Sequence, residues 1–425
     1  MEEGSHQKLV DHLFRHEAGK MIAVLTRVFG IHNLGVVEDT VQETFLKALQ
    51  VWRYGQLPDN PSAWLMRVAR NQAIDLIRRQ QKLADLSEEL VSLIQSDTEY
   101  VIQQFFLDTE IADSQLRMIF TCCHPDLNRE DQVALTLKTV SGFSIQEIAR
   151  ALVSSETTIQ KRLYRAKEYI KKHSIQFEIP VGNALQTRLE TVYIVLYLLF
   201  NEGYHSVKAD ELIRYDLCAE ALRLCKLLAE HPQGSRPSTL ALLSLMCFQA
   251  SRFDSRIGED NAIILLEQQD RQKWNQDLIQ SGKYYLTQAA TGEHLSVYHL
   301  ESAIAAEHCL APDFHSTNWQ TLLFLYDRLL ELKPTPIVQL NRSIILAQTD
   351  RLREAIDTIL NIPDLDHLLN HHYIYSAVLG SLYGDAGETA EALRLLEKAY
   401  ELTSSLAEKK RLAEKMKPYA GYCHK

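Results

Sequence analysis

The chain has 425 residues, 46% hydrophobic and 24% charged, with 45 Lys/Arg against 55 Asp/Glu and a net charge of −10. This composition fits a folded chain of two to four domains, each with a core, and excludes a disordered or collagenous one. The most apolar run, TVYIVLYLLF at 191–200, is about half of what a bilayer span needs, so it predicts a buried helix rather than a membrane anchor.

In chain order, a helical period of 3.6 dominates and strand-type alternation is scarce, which makes the fold class all-α. Helices are expected at 6–29, 35–54, 62–82, 99–122, 129–141, 144–152 and 155–172. After a break near Phe177–Asn183, further helices run to the C-terminus, punctuated by Gly and Pro. The start, MEEGSHQK, is polar and acidic, so no signal peptide is expected.

Charge follows this order unevenly. Residues 1–82 carry 11 Lys/Arg and 9 Asp/Glu, 83–131 carry 2 and 11, and 132–173 carry 8 and 3; the remainder is acidic. Two basic modules joined by an acidic connector suggest two nucleic-acid contacts.

The helix at 36–52, VVEDTVQETFLKALQVW, places Val41, Phe45, Ala48, Leu49 and Trp52 on a core stripe. Asp39, Gln42, Glu43 and Lys47 line its other side. An acidic face repels DNA, so a protein partner is the natural reading. In the next helix, PSAWLMRVARNQAIDLIRRQ at 61–80, Asn60 caps and Pro61 takes the first helical position. Trp64 shares a face with Arg67, Asn71, Asp75 and Arg78, within about 60° at about 100° per residue. Cations with an aromatic are the ingredients for holding single-stranded DNA, and the preceding loop YGQLPDN could receive an unstacked base. Trp64 packed on a neighbouring helix is the alternative.

The segment FSIQEIARALVSSETTIQKRLYRAKEYIKK at 143–172 reads as a helix-turn-helix. Ser144 and Glu147 form a capping box, and Ser154 or Ser155 caps the second helix. Ile159, Leu163, Ala166 and Ile170 form its inner stripe. Thr157, Thr158, Lys161, Arg162, Arg165 and Lys172 face outward, placed to enter a major groove. Near the end, Leu379, Gly380, Tyr383, Gly387, Ala392, Leu396 and Ala399 match tetratricopeptide spacing, with a looser unit one repeat upstream.

Seven cysteines lack CxxC or zinc-finger spacing, and the adjoining Cys122, Cys123 and His124 cannot build a tetrahedral site alone. Reduced thiols in a cytoplasmic protein are expected. No HExxH, P-loop, GxSxG or dinucleotide fingerprint occurs. No enzyme activity, cofactor, metal or catalytic residue is therefore expected, and the histidines of NHHYIY at 370–375 read as helix surface.

VVEDTVQETFLKALQVW, NPSAWLMRVARNQAIDLIRR and SIQEIARALVSSETTIQKRLYRAKEYI, in this order, resemble bacterial RNA polymerase sigma factors of the extracytoplasmic-function type. The later segments YLLFNEGY, LEQQDRQKWNQDLI and YHLESAIAAEHC are similar to a C-terminal extension found in one sigma subgroup. The resemblance implies region 2 at 1–82, an acidic linker at 83–110, region 4 at 111–173 and a helical, tetratricopeptide-like regulatory extension at 184–425. It implies promoter DNA and core RNA polymerase as partners, through the β′ clamp helices and the β flap, with an unidentified regulatory protein at the extension and no membrane. Asp39, Gln42 and Glu43 would meet polymerase. Asn60, Trp64, Arg67, Arg70, Asn71 and Arg78 would meet the minus-ten element. Thr157, Thr158, Lys161, Arg162 and Arg165 would meet the minus-thirty-five element. The other reading is a helix-turn-helix regulator whose repeat domain senses a ligand or partner without touching polymerase.

Overall fold

The computed structural model describes residues 2–52, 58–79, 98–152, 154–204, 214–258, 264–292 and 294–419. Helices account for most of them, and among the described residues no extended strand occurs. The chain divides into two compact units, one of residues 1–203 with 215–235, the other of 204–214 with 236–425.

The first unit is organised around α1 (Glu2–Phe29), which packs on α2 (Leu34–Val51) and α3 (Pro61–Arg79). After α4 (Thr98–Phe105) come α5 (Asp108–Cys122), α6 (Arg129–Thr139), α7 (Ile145–Ala151) and α8 (Glu156–Lys172). The single helix expected at 99–122 is thus two. Phe106 and Leu107 close the first with short-range backbone bonds to Gln103 and Gln104, and Leu107 turns extended before Asp108.

α1 also packs on α5 and α6, so the two basic modules form one body. The approach to α6 is close because residue 19 is glycine. A Cβ there would lie 1.8 Å from the Val140 carbonyl oxygen. Farther along α1, the buried Arg27 donates to Glu110 Oε2 at 2.6 Å and to Asp113 Oδ2 at 3.4 Å, with its guanidinium over the Phe105 ring. The chain turns at Ser174 and Gly182, both at positive φ, and continues as α9 (Asn183–Tyr204) and α10 (Tyr215–Glu230). Arg188 of α9 donates to the Phe120 carbonyl at 2.9 Å, and His231 lies 3.6 Å from Asp113. The boundary expected from sequence at 184 therefore differs from the compact unit, because α9 and α10 pack with the helices before them.

The second unit stacks its helices mainly on sequence neighbours. α11 (Pro237–Ala250) and a four-residue helix α12 (Phe253–Arg256) are followed by α13 (Gln276–Ala289) and α14 (Val297–Leu310). Phe248 meets Gly282 closely, and buried Ser302, Ser244 and the Gly282 carbonyl form a hydrogen-bonded chain of 2.7 Å links. α15 (Trp319–Leu332), α16 (Pro336–Gln348), α17 (Leu352–Leu360) and α18 (Leu365–His371) share an apolar core with α19 (Tyr373–Asp385). α19 and α20 (Thr389–Leu402) form a hairpin that turns at Gly387, φ +80°. A Cβ at Gly380 would lie about 3.1 Å from Leu395 and Leu396, so that glycine lets the pair close up. α21 (Leu406–Met416) ends the described helices.

Candidate nucleic-acid and partner-binding faces

On α2, Asp39, Gln42 and Glu43 are all exposed, on the face opposite buried Val37, Val41 and Ala48. The core stripe differs from expectation at one residue, since Leu49 is 46% exposed. Thr40 and Thr44 take up the inner face instead, bonding the carbonyls of Val36 and Thr40 at 2.8 and 2.9 Å. A threonine whose hydroxyl is answered by its own helix packs inward without a polar penalty, and this rotates the buried arc away from Leu49. Leu46 is 58% exposed and sits about 20° around the helix from Asp39. The acidic face thus has an apolar centre of Leu46 and Leu49. The sequence reading missed it, although Leu46 already lay off the stripe.

On α3, Asn60 Oδ1 accepts the Ala63 N–H at 3.0 Å, as the cap requires. Trp64 is half-buried, its ring centroid 5.3 Å from that of Trp52, which in turn meets Phe14 at 5.7 Å. Its helical neighbour Val68, about 40° away, is buried, so part of the Trp64 face is core. Arg67 and Asn71 are exposed and Arg70 is half-buried. Arg78 lies in α3, but its side chain falls outside the described residues, as do residues 53–57 of the loop before the helix. Asn60, Arg67 and Arg70 line a groove of about 610 Å³ whose other wall is Phe106, Asp108 and Gln115. Gln115 is buried and its Nε2 has no hydrogen-bond partner.

The helix-turn-helix is built as its sequence predicts. Ser144 Oγ accepts the Glu147 N–H and Glu147 Oε2 accepts the Ser144 N–H, completing the capping box. Ser155, not Ser154, caps α8, accepting the Thr158 N–H at 3.1 Å. Ile159, Leu163, Ala166 and Ile170 are all buried. Opposite them Thr157, Lys161 and Arg165 are exposed, with Thr158 and Arg162 half-buried. The Thr157 and Thr158 hydroxyls both lie within 2.9 Å of Ser155 Oγ. Arg165 donates to Asp131 Oδ1 at 2.8 Å, which fixes the direction of its guanidinium. Tyr164, 66% exposed, stands on the same face and escaped the sequence reading; an aromatic three residues after Lys161, off the apolar stripe, was its signal.

The two faces are tied together. Lys167 of α8 donates to both carboxylate oxygens of Glu38 on α2, at 2.7 and 2.8 Å. Beside this pair a groove of about 460 Å³ is lined by Gln42 and Phe45 on one side and Lys138, Ser144 and Arg150 on the other. Burial pushes the Lys138 ammonium below its ordinary range, and Glu38 opposes that shift. Among the described residues no group of His, Cys, Asp and Glu is arranged to hold a metal ion. Burial raises the Cys122 thiol to about 12, its Sγ 3.0 Å from Thr139 Oγ1, and raises Cys123 as well. Thiols held protonated in this way are inert. No helix among the described residues is long and apolar enough to cross a membrane.

Three family models match the chain: Sigma-70 region 2 over residues 13–83, Sigma-70 region 4 over 117–170, and a family of unknown function (DUF6596) over 188–290. An uncharacterised protein of Rhizobium meliloti (strain 1021) is 33% identical over 389 residues, 91% of this chain and 90% of that protein. The ECF RNA polymerase sigma factor SigX of Bacillus subtilis (strain 168) is 28% identical over 138 residues, 32% of this chain and 69% of SigX. SigM of the same organism is 28% identical over 138 residues, 32% of this chain and 78% of SigM. No solved structure matches.

Proposed function

The chain belongs to the extracytoplasmic-function family of RNA polymerase sigma factors, with an additional C-terminal domain, and on that premise we propose how its surfaces divide the work of initiation. α2 docks on the polymerase β′ clamp helices through Asp39, Gln42 and Glu43 around Leu46 and Leu49. An apolar centre within a charged rim suits a protein partner better than acids alone. α3 engages the minus-ten element with Asn60, Trp64, Arg67, Arg70, Asn71 and Arg78. The cations hold the backbone of the melted strand, and the free side of Trp64 offers a surface to a base. α8 enters the minus-thirty-five major groove with Thr157, Thr158, Lys161, Arg162, Tyr164 and Arg165, while region 4 rests on the β flap. The observation that carries this reading is the exposed Lys161–Arg165 face of α8 over a fully buried stripe.

The closed packing of the first unit has a consequence for the mechanism. Elements centred near minus ten and minus thirty-five lie about 25 base pairs apart, or about 85 Å along B-DNA at roughly 3.4 Å per pair. α8, tied to α2 through Lys167 and Glu38, is too close to region 2 to serve both elements at once. Polymerase therefore opens the α1–α5–α6 packing as it binds, and the free chain has weak DNA affinity until then. The C-terminal unit regulates this step through a partner or a ligand.

Mixing the chain with core polymerase and promoter DNA tests the reading. A stable holoenzyme on gel filtration is expected, with Leu46→Asp weakening assembly at least tenfold. Lys161→Ala should leave assembly intact and weaken promoter binding, with a smaller salt slope. Failure to form holoenzyme, or tight duplex binding by the free chain alone, overturns it; the latter favours the polymerase-independent regulator.

A further inference from the structure

The second unit contains half-buried cations that no acid among the described residues pairs with. Arg252 follows the end of α11 and its Nη2 donates to Tyr204 Oη at 2.8 Å, but its Nε is buried without a partner. Arg271, in QDRQKW at 269–274, donates Nη1 to the His308 and Ala311 carbonyls at the end of α14, at 2.5 and 2.6 Å. Its guanidinium lies 4.6 Å over the Trp274 ring, and its Nη2 is buried and unpaired. Trp274 Nε1 and His308 Nδ1 are unpaired as well.

Among the described residues the carboxylates that act on this region are committed. Asp313 acts on Arg271 from a distance, but its Oδ1 accepts both the N–H and the hydroxyl of Ser316, at 2.7 and 2.8 Å. Glu301, which faces Tyr326, pairs with Lys333 at 3.0 Å. Burial, with Arg252 and Arg271 adding to it, drives His308 down to about 3, so the imidazole is neutral at physiological pH and contributes no further repulsion. Carbonyl capping accounts for Nη1 of Arg271 and for nothing else in the cluster.

The unpaired groups on Arg252, Arg271 and Trp274 are all donors, and two of the three residues are cations within electrostatic reach of each other. Donors of this kind in one place match an acceptor-rich, negatively charged group, which guanidinium forks bind with charge-assisted hydrogen bonds. Arg252, Arg271 and His308 are each half-buried, so the cluster borders solvent although its unpaired atoms are covered.

We propose that Arg252 and Arg271, with Trp274 and His308 beside them, form a binding site in the C-terminal unit for a small oxyanion, either a phosphate or a carboxylate group. Occupancy neutralises two like charges where α11 and α14 end, and so tightens the junction of those helices. This gives the unit a chemical input of its own, independent of the promoter and polymerase faces.

The test uses the full chain, titrated by calorimetry and melted in sodium phosphate, sodium succinate and sodium chloride at equal ionic strength. Saturable heat and a rising Tm with phosphate or with succinate, and none with chloride, are expected; which of the two acts identifies the source of the oxyanion. Arg252→Gln retains an N–H for Tyr204 and should weaken binding at least tenfold. Its ligand-free Tm should be unchanged or higher, since one of two like charges is gone. Arg271→Lys, which keeps the charge, should retain part of the affinity. A linear response to both anions, or wild-type affinity in Arg252→Gln, overturns the proposal. So does a lowered ligand-free Tm in Arg252→Gln together with no anion effect on the wild type, which makes the arginine a structural brace.

Discussion

Arg27 and Arg252 are both packed inside helical assemblies, and their surroundings answer them differently. Arg27 meets Glu110 and Asp113 from another helix and lies on Phe105. Arg252 meets a tyrosine hydroxyl and leaves its Nε unpaired. A buried cation with carboxylates in place fixes one packing, because separating the partners strands a charge. A half-buried cation without them keeps donor capacity that its own packing does not use. The first unit is thus held by a closed ion-pair contact, and the second carries a cation whose donors are incompletely used.

Three changes break or sharpen that contrast. The largest effect is expected from Gly19→Ala, because its Cβ would fall 1.8 Å from the Val140 carbonyl and force α1 away from α6. A loss of about 3 kcal/mol from the first unit follows, read by chemical denaturation. An opened first unit should also show a longer distance between fluorophores on α3 and α8. Unchanged stability and distance would mean that α1 and α6 do not meet in solution.

Next in size is a pH effect on the second unit. The folded state favours neutral His308, whereas the unfolded residue takes up a proton near 6.5. Stability is then full above about pH 6.5 and declines as pH falls toward 3. Between pH 7 and pH 5 the loss is about 2 kcal/mol. His308→Leu should flatten this slope, and a slope that survives the substitution assigns it to other groups.

The smallest effect is expected at Lys167 and Glu38, a partly exposed pair. Lys167→Glu should cost at most about 1 kcal/mol in stability. It should nonetheless favour the open form and speed holoenzyme assembly. Adding Glu38→Lys restores the pair and should restore the slower rate. Equal rates in all three proteins would remove this contact from those that hold the first unit closed.

Much of the molecule was legible in the sequence where structure is decided locally. The Ser144–Glu147 box and the Ile159–Ile170 stripe depend only on spacing along a helix and took their expected places, and the cap left open between Ser154 and Ser155 is Ser155. Asn60 capped α3 for the same reason. Spacing was silent on which side a partner helix would cover. Leu49 looked like core and is exposed, because Thr40 and Thr44 satisfy their own hydroxyls and turn inward. Trp64 could be read as a base platform or as a residue packed on a neighbouring helix, and Trp52 occupies one side of it.

The sequence by itself determined the helical class, most of the caps, the basic outer face of α8 and the family likeness, since each follows from local periodicity and residue type. Only the tertiary structure decided that Gly19 admits α6 against α1, that Glu38 holds Lys167, and that Arg252 and Arg271 lie within electrostatic reach of each other with no described carboxylate bonded to either. The first two of these join residues 121 and 129 positions apart, and the third joins residues 19 apart. Contacts at such separations are selected by the shape and charge of whole packed surfaces, and no helical period encodes them.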